Sequence, residues 1–131
     1  MIAPGQVKNL TLYRWQPNVV SFAFVGLDFT GAAFKSQIRA FRDAEDPAMV
    51  TLENATAGTQ GISVAVVTTE GVPTSTVTLQ YDEATVEGIA FPNPKGTDPE
   101  YSWDLVIDPT DDLKRRWLEG PVTIRAGATQ I

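Results

Sequence analysis

The sequence predicts a single antiparallel β-sandwich of about eight strands, and three observations lead to this fold class. Apolar residues alternate with polar ones in short runs, which is the period that a half-buried strand requires. Turn-forming residues separate the runs at close, regular spacing, as in "DFTG" at 28–31 and "EGVP" at 70–73. With 131 residues, 43% of them hydrophobic, the chain is long enough for one domain with its own core.

The alternation predicts the strands one after another and assigns their inward positions. These positions are Leu10 and Leu12; Phe22 and Phe24; Phe34, Ser36, Ile38 and Ala40; Val50 and Leu52; Ile62, Val64 and Val66; Val77, Leu79 and Tyr81; Tyr101, Trp103, Leu105 and Ile107; and Val122 and Ile124. Valine and threonine are abundant in these runs, as strand propensity favours. We therefore expect a sandwich domain over residues 7–126, an N-terminal arm over 1–6 and a C-terminal tail over 127–131.

One segment interrupts the strand pattern and predicts a short helix near residues 82–88. It reads "DEATVEG", with Asp82 as a possible N-cap and Gly88 as the stop. A helix of this length is not stable by itself, so it must pack against the sheets.

Composition excludes several classes of function. The chain has no histidine and no cysteine, which removes a Ser-His-Asp triad, a histidine or thiolate metal site and a cysteine nucleophile. A net charge of -6 argues against nucleic-acid binding, which needs a surplus of Lys and Arg. No apolar run approaches the roughly 20 residues that span a membrane, and the N-terminus lacks a secretory pattern. We expect no enzyme activity, catalytic residue, metal ligand, cofactor, small-molecule substrate, nucleic-acid partner or membrane partner, and synthesis in the cytoplasm.

The densest charged cluster lies in "YSWDLVIDPTDDLKRRWLEGPVTI" at 101–124. Its aspartates are Asp104, Asp108, Asp111 and Asp112, and Lys114, Arg115 and Arg116 follow. A calcium loop of the EF-hand type needs a different spacing and a glycine that this segment lacks. We therefore expect a turn at "DPTDD", Asp104 facing outward, and basic residues that pair with acidic neighbours across a hairpin.

Candidate partner contacts lie at the chain ends and at exposed aromatic or proline positions. We expect Trp103 in the core. Trp15 and Trp117 lie near strand ends, so we expect one or both to be partly exposed, and exposed tryptophans are common interface anchors. The candidate interface residues are Ile2, Pro4, Trp15, Pro17, Trp117 and Ile131.

The order of these elements resembles a family of tailed-phage virion domains, the Ig-like β-sandwich at the N-terminus of baseplate upper proteins and related small tail proteins. The resemblance rests on "LDFTGAAFKSQIRAF" and on the closing pair of strands from "YSWDL" to "LEGPVTI". In the first segment the matching residues are Asp28, Thr30, Gly31, Phe34, Gln37, Ile38 and Arg39. The likeness spans roughly residues 7–125. The loop "FPNPKGTDPE" and the hairpin turn, which has no glycine, depart from the family pattern.

The resemblance implies a non-enzymatic structural protein of a tailed-phage virion, acting as a tail, baseplate or fibre-base connector through protein–protein assembly. Its expected partners are other phage structural proteins and copies of itself, and its expected location is the virion, assembled in the host cytoplasm. Because the sequence ends at Ile131, a connector role is favoured over host recognition. Two alternatives stay open: a capsid decoration protein, and a glycan-binding module that uses Trp15 or Trp117.

Overall fold

The computed structural model describes residues 3–89 and 98–127, in which the alternating runs form nine strands and one helix. The elements are β1 (Gln6–Val7), β2 (Leu10–Tyr13), β3 (Asn18–Val25), β4 (Ala33–Arg39), β5 (Val50–Glu53), β6 (Gly61–Thr69), β7 (Val72–Tyr81), α1 (Glu83–Glu87), β8 (Glu100–Asp108) and β9 (Arg115–Arg125).

The strands form two sheets that pack face to face. The larger sheet has the order β1-β9-β8-β4-β5, with β2 also paired to β9, and the smaller sheet has the order β3-β7-β6. This division of the strands between the sheets is that of an Ig-like sandwich. The predicted fold class is therefore confirmed, with one difference: β1 and β2 pair with β9 in parallel, and the other ladders are antiparallel.

The core lies between the sheets and contains most of the predicted inward positions, although Val66 is not among them. It also contains residues that the alternation did not assign: Phe29, Ala32, Val86, Ile89, Trp117 and Leu118. Trp103 is buried, as expected, and its ring stacks on Phe22 of the opposite sheet at 5.8 Å between centroids. Antibody domains link the equivalent pair of strands by a disulfide, which this cysteine-free chain cannot form. Ala40 does not belong to the core: it is exposed because β4 ends at Arg39.

The short helix is confirmed at Glu83–Glu87, but it starts differently from the prediction. Asp82 occupies the N-cap position without a side-chain capping hydrogen bond. The side-chain oxygen of Gln60 instead accepts hydrogen bonds from the Asp82 N–H and the Thr85 hydroxyl. Val86 is fully buried, so packing against the sheets holds this single turn in place.

Two polar side chains, the buried Asn18 and the exposed Asp28, close turns at the ends of the strands. Asn18 accepts a hydrogen bond from the Tyr13 N–H and donates to the carbonyls of Tyr13 and Gln16. These bonds close the β2–β3 turn, in which Trp15 has a positive φ of 70°. The β3–β4 turn is closed by Asp28, whose carboxylate accepts from both the N–H and the hydroxyl of Thr30. Both hydrogen bonds lower the pKa of Asp28.

The last strand contains a β-bulge that changes which residues face the core. Leu105 of β8 pairs with Leu118 of β9, but the next residue, Val106, pairs with Arg116, so Trp117 is the extra residue. Both Trp117 and Leu118 are buried. A strictly alternating strand would turn one of these two neighbours outward, but a bulge adds one residue and allows both to point inward. Of the two tryptophans near strand ends, Trp117 is therefore buried, and Trp15 is the one that stays partly exposed.

A second irregularity in β9 is the close approach of the chain at Gly120. A Cβ atom there would lie 2.3 Å from the Lys8 carbonyl oxygen. Lys8 connects β1 to β2, and its N–H donates to the Glu119 carbonyl while its own carbonyl accepts from the Trp103 indole at 3.0 Å. The first residues of the fold thus lie directly on the last strand. Ordered pairing begins at Gln6, one residue before the expected start of the domain.

Candidate interaction surfaces

The predicted interface residues do not converge in one place. Pro4 and Pro17 are exposed, and Trp15 is half-buried with the Arg14 guanidinium 5.0 Å from its ring centroid. Pro4 precedes β1, which pairs at Leu118, whereas Trp15 follows β2, which ends opposite Arg125. These two points lie at opposite ends of β9, roughly 20 Å apart along the strand. Ile2 and Ile131 lie outside the described residues.

Trp117 is buried instead of exposed. Only 7% of it is exposed, and its ring makes edge-to-face contacts with Phe24 and Phe29. Trp117 is therefore a core residue, and its side chain is not available to bind a partner protein or a glycan. Of the two tryptophans in the glycan hypothesis, only Trp15 keeps an accessible part.

The aspartate cluster forms a hairpin connection with local ion pairs, as the sequence predicts. Arg116 lies 3.2 Å from Asp104 across the hairpin, and Arg115 lies 3.6 Å from Asp112. Within residues 3–89 and 98–127, no three acidic side chains come close enough together to hold a metal ion.

Asp104 is partly buried and lies beside both Arg116 and Glu119. Partial burial raises the pKa of its carboxyl, and the neighbouring Glu119 adds to that effect. The Arg116 charge and hydrogen bond, together with the Gln37 N–H, act in the opposite direction. The raised pKa means that the folded chain holds this proton more tightly than the unfolded chain does.

We expect this shift to appear in the pH dependence of stability. When the pH falls from 7 towards the unfolded value of 3.8, proton uptake by Asp104 favours the folded state. In an Asp104→Asn variant this residue no longer titrates. The free energy of unfolding of the wild type, minus that of the variant, should therefore grow as the pH is lowered over this range. Urea unfolding at a series of pH values measures it, and a difference that shrinks would contradict the raised pKa.

The outer surface of the larger sheet, here called the charged face, carries acidic and basic side chains that form ion pairs. Its charged side chains include Lys35, Arg39, Glu53, Asp104, Arg116 and Glu119. Arg39 contacts Asp46 at 2.6 Å, and Arg42 forms an ion pair with Glu119. A groove of about 390 Å³ lies here, with the exposed ring of Phe41 at its side. Arg39, Arg42 and Arg116 line this groove, and each already has a carboxylate partner. The groove is therefore not a ready anion site.

The outer surface of the smaller sheet, here called the neutral face, has no charged residue. It consists of Val19, Ser21, Ala23 and Val25 of β3; Val72, Thr74, Thr76, Thr78 and Gln80 of β7; and Ser63, Ala65, Val67 and Thr69 of β6. Of the eight exposed large hydrophobic side chains in the described part of the chain, four are valines on this face. In a chain with a net charge of -6, such a surface is a candidate contact site.

The neutral face has a regular pattern that the linear sequence does not show. Three successive rows across the sheet read Ser-Thr-Ser, Ala-Thr-Ala and Val-Thr-Val, with β7 in the middle. The rows are Ser21–Thr78–Ser63, Ala23–Thr76–Ala65 and Val25–Thr74–Val67. The absence of Lys, Arg, Asp and Glu from residues 15–27 and 61–69 was the available sequence signal, but only strand pairing places these segments on one surface.

Comparisons with known proteins add little about function. No protein-family model matches the chain, and no curated protein matches it. Among solved structures it is similar to a chain from a study of multimeric cell-adhesive interactions of VGSC beta subunits, at 8% sequence identity and a TM-score of 0.40, over 98% of each chain. A likeness at this level carries no functional inference. In the described part of the chain, no helix is long and apolar enough to cross a membrane.

Proposed function

We propose that this chain is a non-enzymatic structural component of a tailed-phage virion, a connector in the tail or baseplate that acts through protein–protein assembly. The observation that carries the proposal is the neutral face, a surface without charged residues on an acidic protein. The placement in a phage tail rests on the sequence resemblance.

The residues that carry the resemblance have structural roles in this fold, which fits a family signature without catalytic groups. The hydroxyl and N–H of Thr30 bond to the Asp28 carboxylate in the turn before β4. Arg39 donates to the Ala44 carbonyl and to Asp46, so it fixes the loop after β4. These contacts order the turn before β4 and the loop after it.

Physical chemistry favours the neutral face over the charged face as the contact surface. Burying the charged face would require desolvation of several ion pairs, which offsets most of the gain from contact. Burying threonine, alanine and valine removes apolar area from water, at about 25 cal/mol per Å², without that penalty. Many copies in a symmetric particle would then combine modest single contacts into stable attachment.

Localisation in the particle tests the proposed function directly. Particles from a genome that encodes the chain are purified and imaged by cryo-electron microscopy, with a gold-labelled antibody against the chain. We expect label at the tail or baseplate with a fixed copy number. Label on the capsid would replace the connector role by decoration, and absence from purified particles would refute both.

A charge at the centre of the neutral face should block incorporation without unfolding the domain. Thr76→Glu places a carboxylate in the middle row, where any partner would have to desolvate it. We expect incorporation into particles to fall about tenfold or more, with a melting temperature close to that of the wild type. Thr51→Glu makes the same change on an exposed strand position of the larger sheet and should incorporate normally. Equal loss in both variants would exclude the neutral face as the contact surface.

A further inference from the structure

The strand β3 is a long open edge of the smaller sheet. Its eight residues, Asn18–Val25, pair with β7 on one side, and within the described residues no strand pairs with the other side. The edges of the larger sheet are much shorter, with two residues in β1 and four each in β2 and β5. Short edges limit unwanted strand pairing, and β3 lacks this protection.

The sequence of β3 also lacks the usual devices that block an edge. It reads "NVVSFAFV", with no charge and no proline inside the strand. Natural sandwiches place lysine, proline or a bulge on an exposed edge because its free N–H and C=O groups are a template for another strand. An unblocked edge of this length is therefore a ready site for a further strand.

The core is open along the same edge. Val20 and Phe22 point inward from β3, yet both are only partly buried and pack against the margin of the core. Phe24, further along the strand, is fully buried. A further strand beside β3 would complete the burial of Val20 and Phe22, which is a driving force in addition to the backbone hydrogen bonds.

The opposite edge of the smaller sheet, β6, is already partly covered. Asn54 forms a bridge with Ile62, and the Ala55 N–H donates to the Ile62 carbonyl at 2.9 Å. These contacts occupy the outer side of β6 near its start. Among the described strands of the smaller sheet, β3 is therefore the edge that stays open over its whole length.

We propose that β3 pairs with β3 of a second copy of this chain, antiparallel and centred on Phe22, so that the two smaller sheets join into one. In an antiparallel pair, directly opposite residues point to the same side of the sheet. Centring on Phe22 therefore keeps the neutral faces of both copies on one surface. It also places Val19 beside the partner's Val25, and Val25 beside the partner's Val19.

This register explains the two most exposed apolar side chains of the strand. Val19 is 61% exposed and Val25 is 46% exposed, and they lie three residues on either side of Phe22. Each would cover the other in the dimer. No charge faces another across the joint, although each copy carries a net charge of -6. The contact is the same patch on both copies, so it closes as a dimer and does not grow into a fibre.

The proposal deepens the proposed assembly function, and it is tested with purified full-length protein by sedimentation velocity at micromolar to millimolar concentrations. We expect the wild type to be a concentration-dependent dimer. The double variant Val19→Lys with Val25→Lys sets like charges opposite each other twice, and should weaken dimerisation about tenfold or more. The variant Val19→Lys with Val25→Glu sets opposite charges in the same places and should dimerise within about threefold of the wild type.

A matched control separates the β3 edge from the rest of the neutral face. Val67→Lys with Thr69→Lys adds the same two charges at exposed positions of β6, where Val67 is 64% exposed, and should leave the dimer unchanged. A monomeric wild type, open-ended aggregates, or a dimer weakened only by the β6 variant would each overturn the proposal. A monomer that is still found in particle tails would refute β3 pairing and leave the assembly function in place. A dimer that is absent from particles would support β3 pairing and refute the assembly function.

Discussion

A Gly120→Ala variant should lose about 3 kcal/mol of stability, the largest effect expected for so small a change. The added Cβ would lie 2.3 Å from the Lys8 carbonyl oxygen and 3.0 Å from its carbonyl carbon. Both atoms are backbone, so no side-chain rotation relieves the overlap. Any shift of Lys8 also strains the hydrogen bonds to the Glu119 carbonyl and from the Trp103 indole.

Gly58→Ala is the matched control for this close approach. Both glycines have a positive φ, 156° at Gly120 and 88° at Gly58, but a Cβ atom at Gly58 would meet nothing within 4 Å. It should therefore cost only the backbone strain, about 1 kcal/mol. Urea unfolding of the two variants measures the difference, and equal losses would show that the contact with Lys8 is not what requires glycine at position 120.

Trp117→Ala should cost about 4 kcal/mol, because it leaves a large cavity between the sheets. The lost ring contacts Phe24 and Phe29 edge-to-face, with centroids 5.6 and 5.7 Å away. Edge-to-face pairs add to the burial energy of the rings, so two such pairs are lost together with the area. Guanidinium unfolding, monitored by far-ultraviolet circular dichroism, gives the change in the free energy of unfolding.

Trp15→Ala is the control that distinguishes the two tryptophans. Trp15 is half-buried in the β2–β3 turn, where its main specific contact is the Arg14 guanidinium. Its loss should cost about 1 kcal/mol, the range of an exposed cation–π contact with some packing. If Trp15→Ala proved the more destabilising of the two, the assignment of Trp117 to the core would be contradicted.

The alternation of side chains was sufficient to predict most of the fold. Strands such as β4, β7 and β8 bury every second residue, so a period of two identifies both the strand and its inward face. The hairpin role of the aspartate cluster was predictable for the same reason, since Trp103 and Leu105 fix the orientation of Asp104 between them.

The irregular features were not predictable from periodicity. The bulge at Trp117 adds one residue to β9, so that Trp117 and its neighbour Leu118 both point into the core, and its position depends on the partner strand β8. The parallel pairing of β1 and β2 with β9 depends on contacts between the two ends of the sequence. The neutral face was not predictable either. Only the pairing of β3, β7 and β6 brings their uncharged residues together on one surface.

The parallel pairing of the first strands with β9 also determines how the domain would carry a mechanical load. The chain enters beside Leu118, where Gln6 pairs, and leaves β9 at Arg125, opposite Tyr13. A pull on the two ends in opposite directions therefore loads the β1–β9 and β2–β9 ladders in shear, so that their hydrogen bonds resist together and do not open one at a time. Under such a load β1, β2 and β9 would resist as one unit, and Gly120 allows the link between β1 and β2 to lie this close to β9.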